Sequence, residues 1–263
     1  MKQLLIFLAA ATLSLSVFAQ EINKSKTKTR KEEKRERINA LIKAEEEGVI
    51  AYKKHYAFSI KLNSDGYGFT FEKGFAKSVK KATLFQIEIG ERKHQKEQKQ
   101  SNPNAPSSPI VYGKINFFYP VKLGVQKQFL LGNKSNKNGV SITANVGGGI
   151  SLGLLRAYEV EVIKGSEKTF IRYDSPDSLL FISGPFYGGP TFSRGWNKLK
   201  LTPGFYVKPA LRFDYGRYND LLAAIEVGLT AEYYTKKIPQ MLFNKQNQFF
   251  FSAYFAVAFG RRK

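Results

Sequence analysis

The 263-residue chain contains no cysteine and only two histidines, His55 and His94. Without thiols there are no disulfides, thiolate metal sites, cysteine nucleophiles or lipidated amino-terminal cysteine. Two imidazoles cannot build a multi-histidine metal centre. Past residue 20 no stretch holds the ~20 continuous apolar residues of a bilayer-spanning helix. Acids are scarce: 21 Asp and Glu face 42 Lys and Arg, a net charge of +21. That balance suits nucleic acid, an anionic membrane surface or an acidic protein. Aromatic residues, by contrast, make up 14% of the chain, an unusual pairing with such charge for a soluble enzyme.

The first twenty residues, MKQLLIFLAAATLSLSVFAQ, read as a secretory signal. Lys2 gives the positive start and Leu4 to Val17 the apolar stretch. Val17 and Ala19 are small residues that set cleavage after Ala19, so 1–19 is signal peptide. Export argues against a nucleic-acid partner despite the charge. Residues 20–37 are nearly devoid of apolar side chains and are expected to be disordered. In 38–50, Ile38, Leu41, Ile42 and Val49 share a helical stripe with Gly48 as its stop, which predicts a short amphipathic helix. Residues 20–54 thus form a basic periplasmic extension.

From residue 55 the period changes from 3.6 to 2, and eight segments alternate. Tyr56, Phe58, Ile60 and Leu62 oppose Ser59 and Lys61; Tyr67, Phe69 and Phe71 oppose Thr70 and Glu72. Phe85, Ile87 and Ile89 oppose Gln86 and Glu88; Val121, Leu123 and Val125 oppose Lys122 and Gln126. The remaining four begin near residues 140, 201, 221 and 249 and keep the same rule. A soluble sandwich also alternates. Here, however, the oily parity persists for ten residues or more in several segments, which suits a tilted crossing of ~9–11 residues. The other face holds Gly, Ser, Thr, Asn and charges of both signs, as the interior of a narrow barrel does. Connections at 75–81, 132–138 and 216–220 are short, whereas 92–112, 156–200 and 235–247 are longer and fall on the opposite side. The hairpin at 64–66 is the one short turn on the long-loop side. The expectation is an all-β protein: an eight-stranded antiparallel transmembrane barrel over 55–263, closed because an open edge in lipid would leave backbone groups unpaired, with both ends on the inner side.

Several stretches strengthen this. The signal ending Phe18-Ala19-Gln20, YKKHYAFSIKLNSDGYGFTFEKG at 52–74, GGGISLGLLRAYEVEV at 147–162 and the aromatic last strand resemble the small outer-membrane β-barrel proteins of Bacteroidota-type bacteria. The resemblance implies a fold and a location in the outer membrane. Some barrels of that envelope are subunits of secretion or outer-membrane assembly machines. No catalytic residue carries over.

Three groups of residues are candidates for function. The inward parity collects Lys61, Lys122, Lys208 and Arg212 with Glu72, Glu88, Asp214, Glu226 and Glu232. Buried charges must pair, and eight strands leave just enough room for side chains to fill the lumen, so a paired polar plug is expected, with a narrow ion path as the functional reading. Glu226 and Glu232 stand about 20 Å apart along one strand at ~3.3 Å per residue, too far for joint acid–base work. A second group is a basic inner rim: Lys73, Lys77, Lys80 and Lys81 around the first short turn, Lys134 and Lys137 on the second, and Arg261, Arg262 and Lys263 at the end. It should meet anionic headgroups or an acidic periplasmic partner, and the tail from Lys24 to Arg37 would extend it. The third is the 156–200 loop, where Tyr173, Phe181, Phe186, Tyr187, Phe192 and Trp196 either line a lid over the mouth or anchor a neighbour. His94, in a polar loop near Ser101, Ser107 and Ser108, is a poor platform for a triad; both histidines are expected to be solvated or interfacial. Gly147, Gly148 and Gly149 lack the Lys-Ser/Thr ending of a phosphate loop and read as close backbone approach.

Sequence alone therefore predicts a non-enzymatic outer-membrane barrel, an accessory subunit of an envelope machine for protein assembly or secretion. Its expected partners are outer-membrane lipids and proteins of that complex. No cofactor, metal or small-molecule substrate is expected. A narrow transport channel is the second reading and a lipid-modifying enzyme the third.

Overall fold

The computed structural model describes residues 32, 35, 36, 39, 52–101, 109–134, 139–174, 176–216 and 220–263. The chain divides into two compact units, Met1–Glu47 and Gly48–Lys263. The signal at 1–19, the helix at 38–50 except Asn39, most of the 20–37 tail, and Lys137, Ser107 and Ser108 lie outside the described residues. In the first unit Glu32, Arg35, Glu36 and Asn39 are helical. Three of these fall in the stretch expected to be disordered. Opposite charges three apart, as at Glu32 and Arg35, favour helix.

The second unit is built on eight long strands: β1 (Lys54–Asn63), β2 (Gly66–Ser78), β3 (Lys81–Arg92), β6 (Asn116–Gly132), β7 (Ser141–Ala157), β11 (Lys200–Asp214), β12 (Leu221–Ile238) and β13 (Asn247–Arg262). The five remaining strands are short: β4 (Lys99–Gln100), β5 (Ile110–Val111), β8 (Glu159–Lys164), β9 (Glu167–Arg172) and β10 (Phe186–Gly188). The long strands form one antiparallel ring, each paired with its neighbours, and β1 pairs with β13 to close it. These strands coincide with the eight alternating segments of the sequence.

The register fixes the tilt. From Tyr56 it runs through Lys73, Phe85, Val125, Gly148, Val207, Ala231 and Phe251, and the β13–β1 pairing carries Phe251 to position 66, ten places beyond the start. A shear of this size on eight strands means a tilt of about 40°. On β13 the outward residues Phe249, Phe251, Phe255 and Phe259 are exposed and Val257 is half-buried, all of them apolar. Ten steps at ~3.3 Å, tilted by about 40°, span roughly 25 Å, the height of a lipid-facing belt. The same belt continues around the ring through Phe58, Ile60, Phe69, Ile87, Leu123, Ile150, Phe205 and Val227, all largely exposed.

Glycine allows the tightest part of the wall. A Cβ on Gly149 would sit 2.0 Å from the carbonyl oxygen of Leu123, and one on Gly124 would meet the Tyr206 hydroxyl at 2.3 Å. Gly149 thus lets its strand approach β6, and Gly124 gives Tyr206 room in the lumen.

The connections separate by side. Short turns join β2 to β3, β6 to β7 and β11 to β12, while β3–β6, β7–β11 and β12–β13 carry the long segments. The long ones fold together. Strands β10, β8 and β9 form a three-stranded sheet, and β4 pairs with β5. Ile110, Val111, Tyr158, Val160, Val162, Ile171, Phe181 and Met241 form one buried cluster drawn from all three connections. This cap is a second small core standing at one end of the barrel.

Candidate functional site: the charged lumen, the cap and the rim

The inward face holds a continuous ladder of charge. All nine lumen residues singled out in the sequence are between 1% and 5% exposed. Arg212 forks between two strands: its Nη1 and Nη2 donate to Glu72 at 2.5 and 2.7 Å, and its Nε donates to Glu226 at 2.9 Å. Glu226 also accepts from the Tyr254 hydroxyl at 2.7 Å and from Asn145 at 3.0 Å, with Lys208 3.4 Å away. Lys208 donates to Gln86 and Gln86 to the Tyr206 hydroxyl. One level further, Lys61 and Lys122 share Glu88 at 3.0 and 2.9 Å, and Lys122 reaches Glu232 at 2.6 Å. Arg92 then joins Glu232 at 2.9 Å to Asp65 at 3.0 Å. Glu226 and Glu232 belong to different rungs and serve as counter-ions.

Arg92 was not among the sequence candidates, although its parity with Gln86 and Glu88 places it inward. Beyond it the lumen turns apolar. Phe118, Leu155, Tyr234 and Ile238 are buried there with Phe250 packed on them, and the rings of Phe118, Tyr234 and Phe250 meet at 5.3 to 5.9 Å. The short-turn end closes differently. Asp214 pairs with Arg262, and Lys134 lies 3.6 Å from Asp214 and donates to the Gly216 carbonyl.

This corrects three expectations. Lys134 and Arg262 are not rim cations: they are 5% and 7% exposed, because Asp214 draws them inward and parity turns Arg262 away from its neighbours Arg261 and Lys263. His55 is not solvated: it is fully buried, on the inward parity of β1, with its Nε2 3.2 Å from Glu72. Phe181 is no exposed anchor: it lies in the cap core, with Phe186 packed against that core.

The other rim residues are placed as follows. Lys77, Lys80, Lys81, Arg261 and Lys263 are exposed and Lys73 is half-buried on the outer wall.

In the cap, Tyr158 is the tie between connections. Its hydroxyl accepts from the Val111 N–H at 2.7 Å, and burial pushes its phenol up to about 12. Lys114 is buried as well; it donates to Glu97 at 2.7 Å and lies over the Phe117 ring at 4.4 Å. Burial lowers its pKa, and Glu97 acts against that. Gln240 donates to the Arg92 carbonyl at 3.0 Å, while its own carbonyl accepts from the Ile115 N–H. Since β12 and β3 are not neighbours in the ring, these bonds carry the 239–246 connection across the mouth.

Arg156 fastens the rest of the long loop. It ends the oily parity of β7 and is 3% exposed. One guanidinium nitrogen donates to the carbonyls of Phe192 at 2.7 Å and Arg194 at 3.0 Å, and the other to the Tyr119 hydroxyl at 3.2 Å. Its plane lies over Phe117, Tyr119, Phe192 and Trp196 at 4.1 to 5.7 Å, and Trp196 stacks on Tyr119 at 5.6 Å. Of the other loop aromatics, Tyr187 lies under the Lys168 ammonium at 3.6 Å and Tyr173 meets Phe181 edge-on at 5.9 Å. Leu179, Phe192, Phe243 and Tyr112 remain exposed, and the Tyr112 and Phe243 rings stack at 5.8 Å.

His94 is half-buried, and burial lowers its pKa. Its Nδ1 accepts from the Lys96 N–H, and its own N–H donates to Glu97. Among the described residues no group of three or more His, Asp and Glu is placed to hold a metal.

No protein-family model matches the chain, and no curated protein does. Solved structures similar to it include Neisserial surface protein A, at 10% identity and a TM-score of 0.37, covering 80% of this chain and 96% of that one. The N-terminal β-barrel domain of Pseudomonas aeruginosa OprF is similar at 8% identity and a TM-score of 0.35, covering 80% and 99%. Ail, the attachment invasion locus protein of Yersinia pestis, is similar at 8% identity and a TM-score of 0.37, covering 81% and 100%.

Proposed function

We propose that this protein is an integral outer-membrane β-barrel whose strands act as a closed anchor and whose cap is the working surface, a non-enzymatic accessory subunit of an envelope assembly or secretion machine. The observation that carries the reading is the contrast between the two ends of the chain's chemistry. The belt is apolar, unbroken and about 25 Å tall. Within it the lumen is filled by paired charge and then by an aromatic layer, an arrangement that suits stability more than passage. The long connections, by contrast, spend their residues on a folded core that leaves Leu179 and the Tyr112–Phe243 stack in the open. Apolar side chains clustered on an ordered surface are the usual centres of protein recognition.

The test is purification of the tagged full-length protein from its own membranes in a gentle detergent. The reading expects envelope proteins in fixed stoichiometry, lost in the Leu179→Glu, Phe243→Ala variant, whose barrel still shows the heat-dependent gel shift of the wild type. Recovery of the barrel alone at native abundance, together with stepwise conductance in a planar bilayer that changes in Arg212→Met, would favour the channel instead.

A further inference from the structure

The cations of the short-turn rim are not spread evenly. The register sets Lys54, Phe75, Thr83 and Lys127 in one row across β1, β2, β3 and β6, with Lys73 in the next row beside Phe75. By parity all five face outward. Lys73 Nζ lies 5.3 Å from the Tyr56 ring centre and 5.4 Å from that of Phe75, and Lys54 Nζ lies 5.9 Å from the latter. Lys127 Nζ donates to Thr83 Oγ1 at 2.9 Å, leaving that hydroxyl proton free to donate. Among the described residues none of the three lysines pairs with a carboxylate. The opposite sector is poorer in cations: there the outward residues nearest the ends of β7, β11 and β12 are Ile142, Phe213 and Leu221, and the one facing cation is Arg261 of β13, opposite Leu221.

Three like charges at the margin of an apolar wall repel one another, and each is tolerated only where its stem can reach the headgroup layer. We propose that this corner binds the phosphate of an anionic glycerophospholipid of the adjoining leaflet. Lys54, Lys73 and Lys127 supply counter-charge, Thr83 supplies a neutral donor, and Phe75 and Phe85 lie against the acyl chains. The belt gives the ligand its apolar half and the lysines its charged half, which a free anion would use only in part. The inference rests on the belt lying in lipid. Because each cation near the headgroups favours negative charge, an anionic lipid should be held at least roughly tenfold more tightly than a zwitterionic one.

The experiment is native mass spectrometry of the full chain released from mixed micelles of phosphatidylglycerol and phosphatidylethanolamine. A second arm uses inorganic phosphate alone. The expected result is retained phosphatidylglycerol, lost at least tenfold in Lys54→Gln, Lys73→Gln, Lys127→Gln, and kept in Lys198→Gln, Lys200→Gln, Lys236→Gln, which removes the same charge from the other end. Equal retention of both lipids, equal retention by the two triple variants, or retention of inorganic phosphate to the same degree would overturn it. Should the first variant fail to fold, wild-type lysine acetylation replaces it: phosphatidylglycerol must protect Lys54, Lys73 and Lys127 where phosphatidylethanolamine does not, and equal acetylation overturns the site. Flotation with liposomes separates the premise: a chain that does not float refutes the membrane reading, whereas a chain that floats without lipid preference refutes only the site.

Discussion

Arg212→Met is expected to destabilise the barrel by about 3–5 kcal/mol, the cost of leaving a buried ion pair half-occupied. Arg212 is the sole bridge between Glu72 and Glu226 in the described ladder, and it donates to both carboxylates at once. With methionine the volume is kept, but two carboxylates face each other, with His55 beside Glu72 and with Lys208, Tyr254 and Asn145 beside Glu226. The denaturant midpoint in detergent should fall accordingly, with the gel-shift temperature following it. Adding Glu72→Gln and Glu226→Gln to the same chain should recover most of the loss, because amides can be buried without counter-charge at lower cost. A single variant as stable as the wild type would mean that water, rather than Arg212, neutralises these carboxylates.

Arg156→Ala should act on the cap and leave the barrel standing. The guanidinium holds two carbonyls of the 191–196 segment and the Tyr119 hydroxyl, and its faces are covered by four rings. Hydrogen bonds from a charged donor contribute ~1.5–3 kcal/mol each and cation–π contacts ~0.5–2 kcal/mol. Even a third of their sum corresponds to a local opening roughly a hundredfold more frequent. Limited proteolysis after Arg194 should accelerate by about that factor, with the gel shift of the barrel unchanged. Arg156→Lys should lie close to alanine, since an ammonium cannot fork to the two carbonyls and stack as well. Cleavage at the wild-type rate would show that the Trp196–Tyr119 stack alone holds the loop.

The period of two is a local property, and it placed all eight strands and their buried parity. A one-residue slip would have reversed every side chain, and Lys61, Glu88, Arg212 and Glu226 would then have faced the belt. The contacts that are long in sequence were harder to read. Phe118 and Phe250 sit on the inward parity among polar residues, and nothing local marks them as an aromatic seal; they seal only because β6 and β13 converge there with Tyr234. Lys134 and Arg262 looked like rim residues because their neighbours are cations, yet Asp214, far from both in sequence, draws them in. The cap was legible as a long loop whose aromatics form a lid or an anchor. Its core was not, since Val111, Tyr158, Phe181 and Met241 come from three connections and meet only after the barrel closes. Arg156 left one trace: a single charge ending the oily parity of β7.

A chain without cysteine invites the most direct test of the central claim, that the belt lies in the outer membrane with the cap facing outward and the short turns inward. Single cysteines at Leu179 in the cap, Phe255 in the belt and Lys80 in the first short turn would be treated in intact cells with a membrane-impermeant maleimide. The account predicts rapid labelling at position 179, none at 255, and labelling at 80 only after the outer membrane is opened. Labelling of 80 in intact cells, or of 255 as fast as 179, would contradict it.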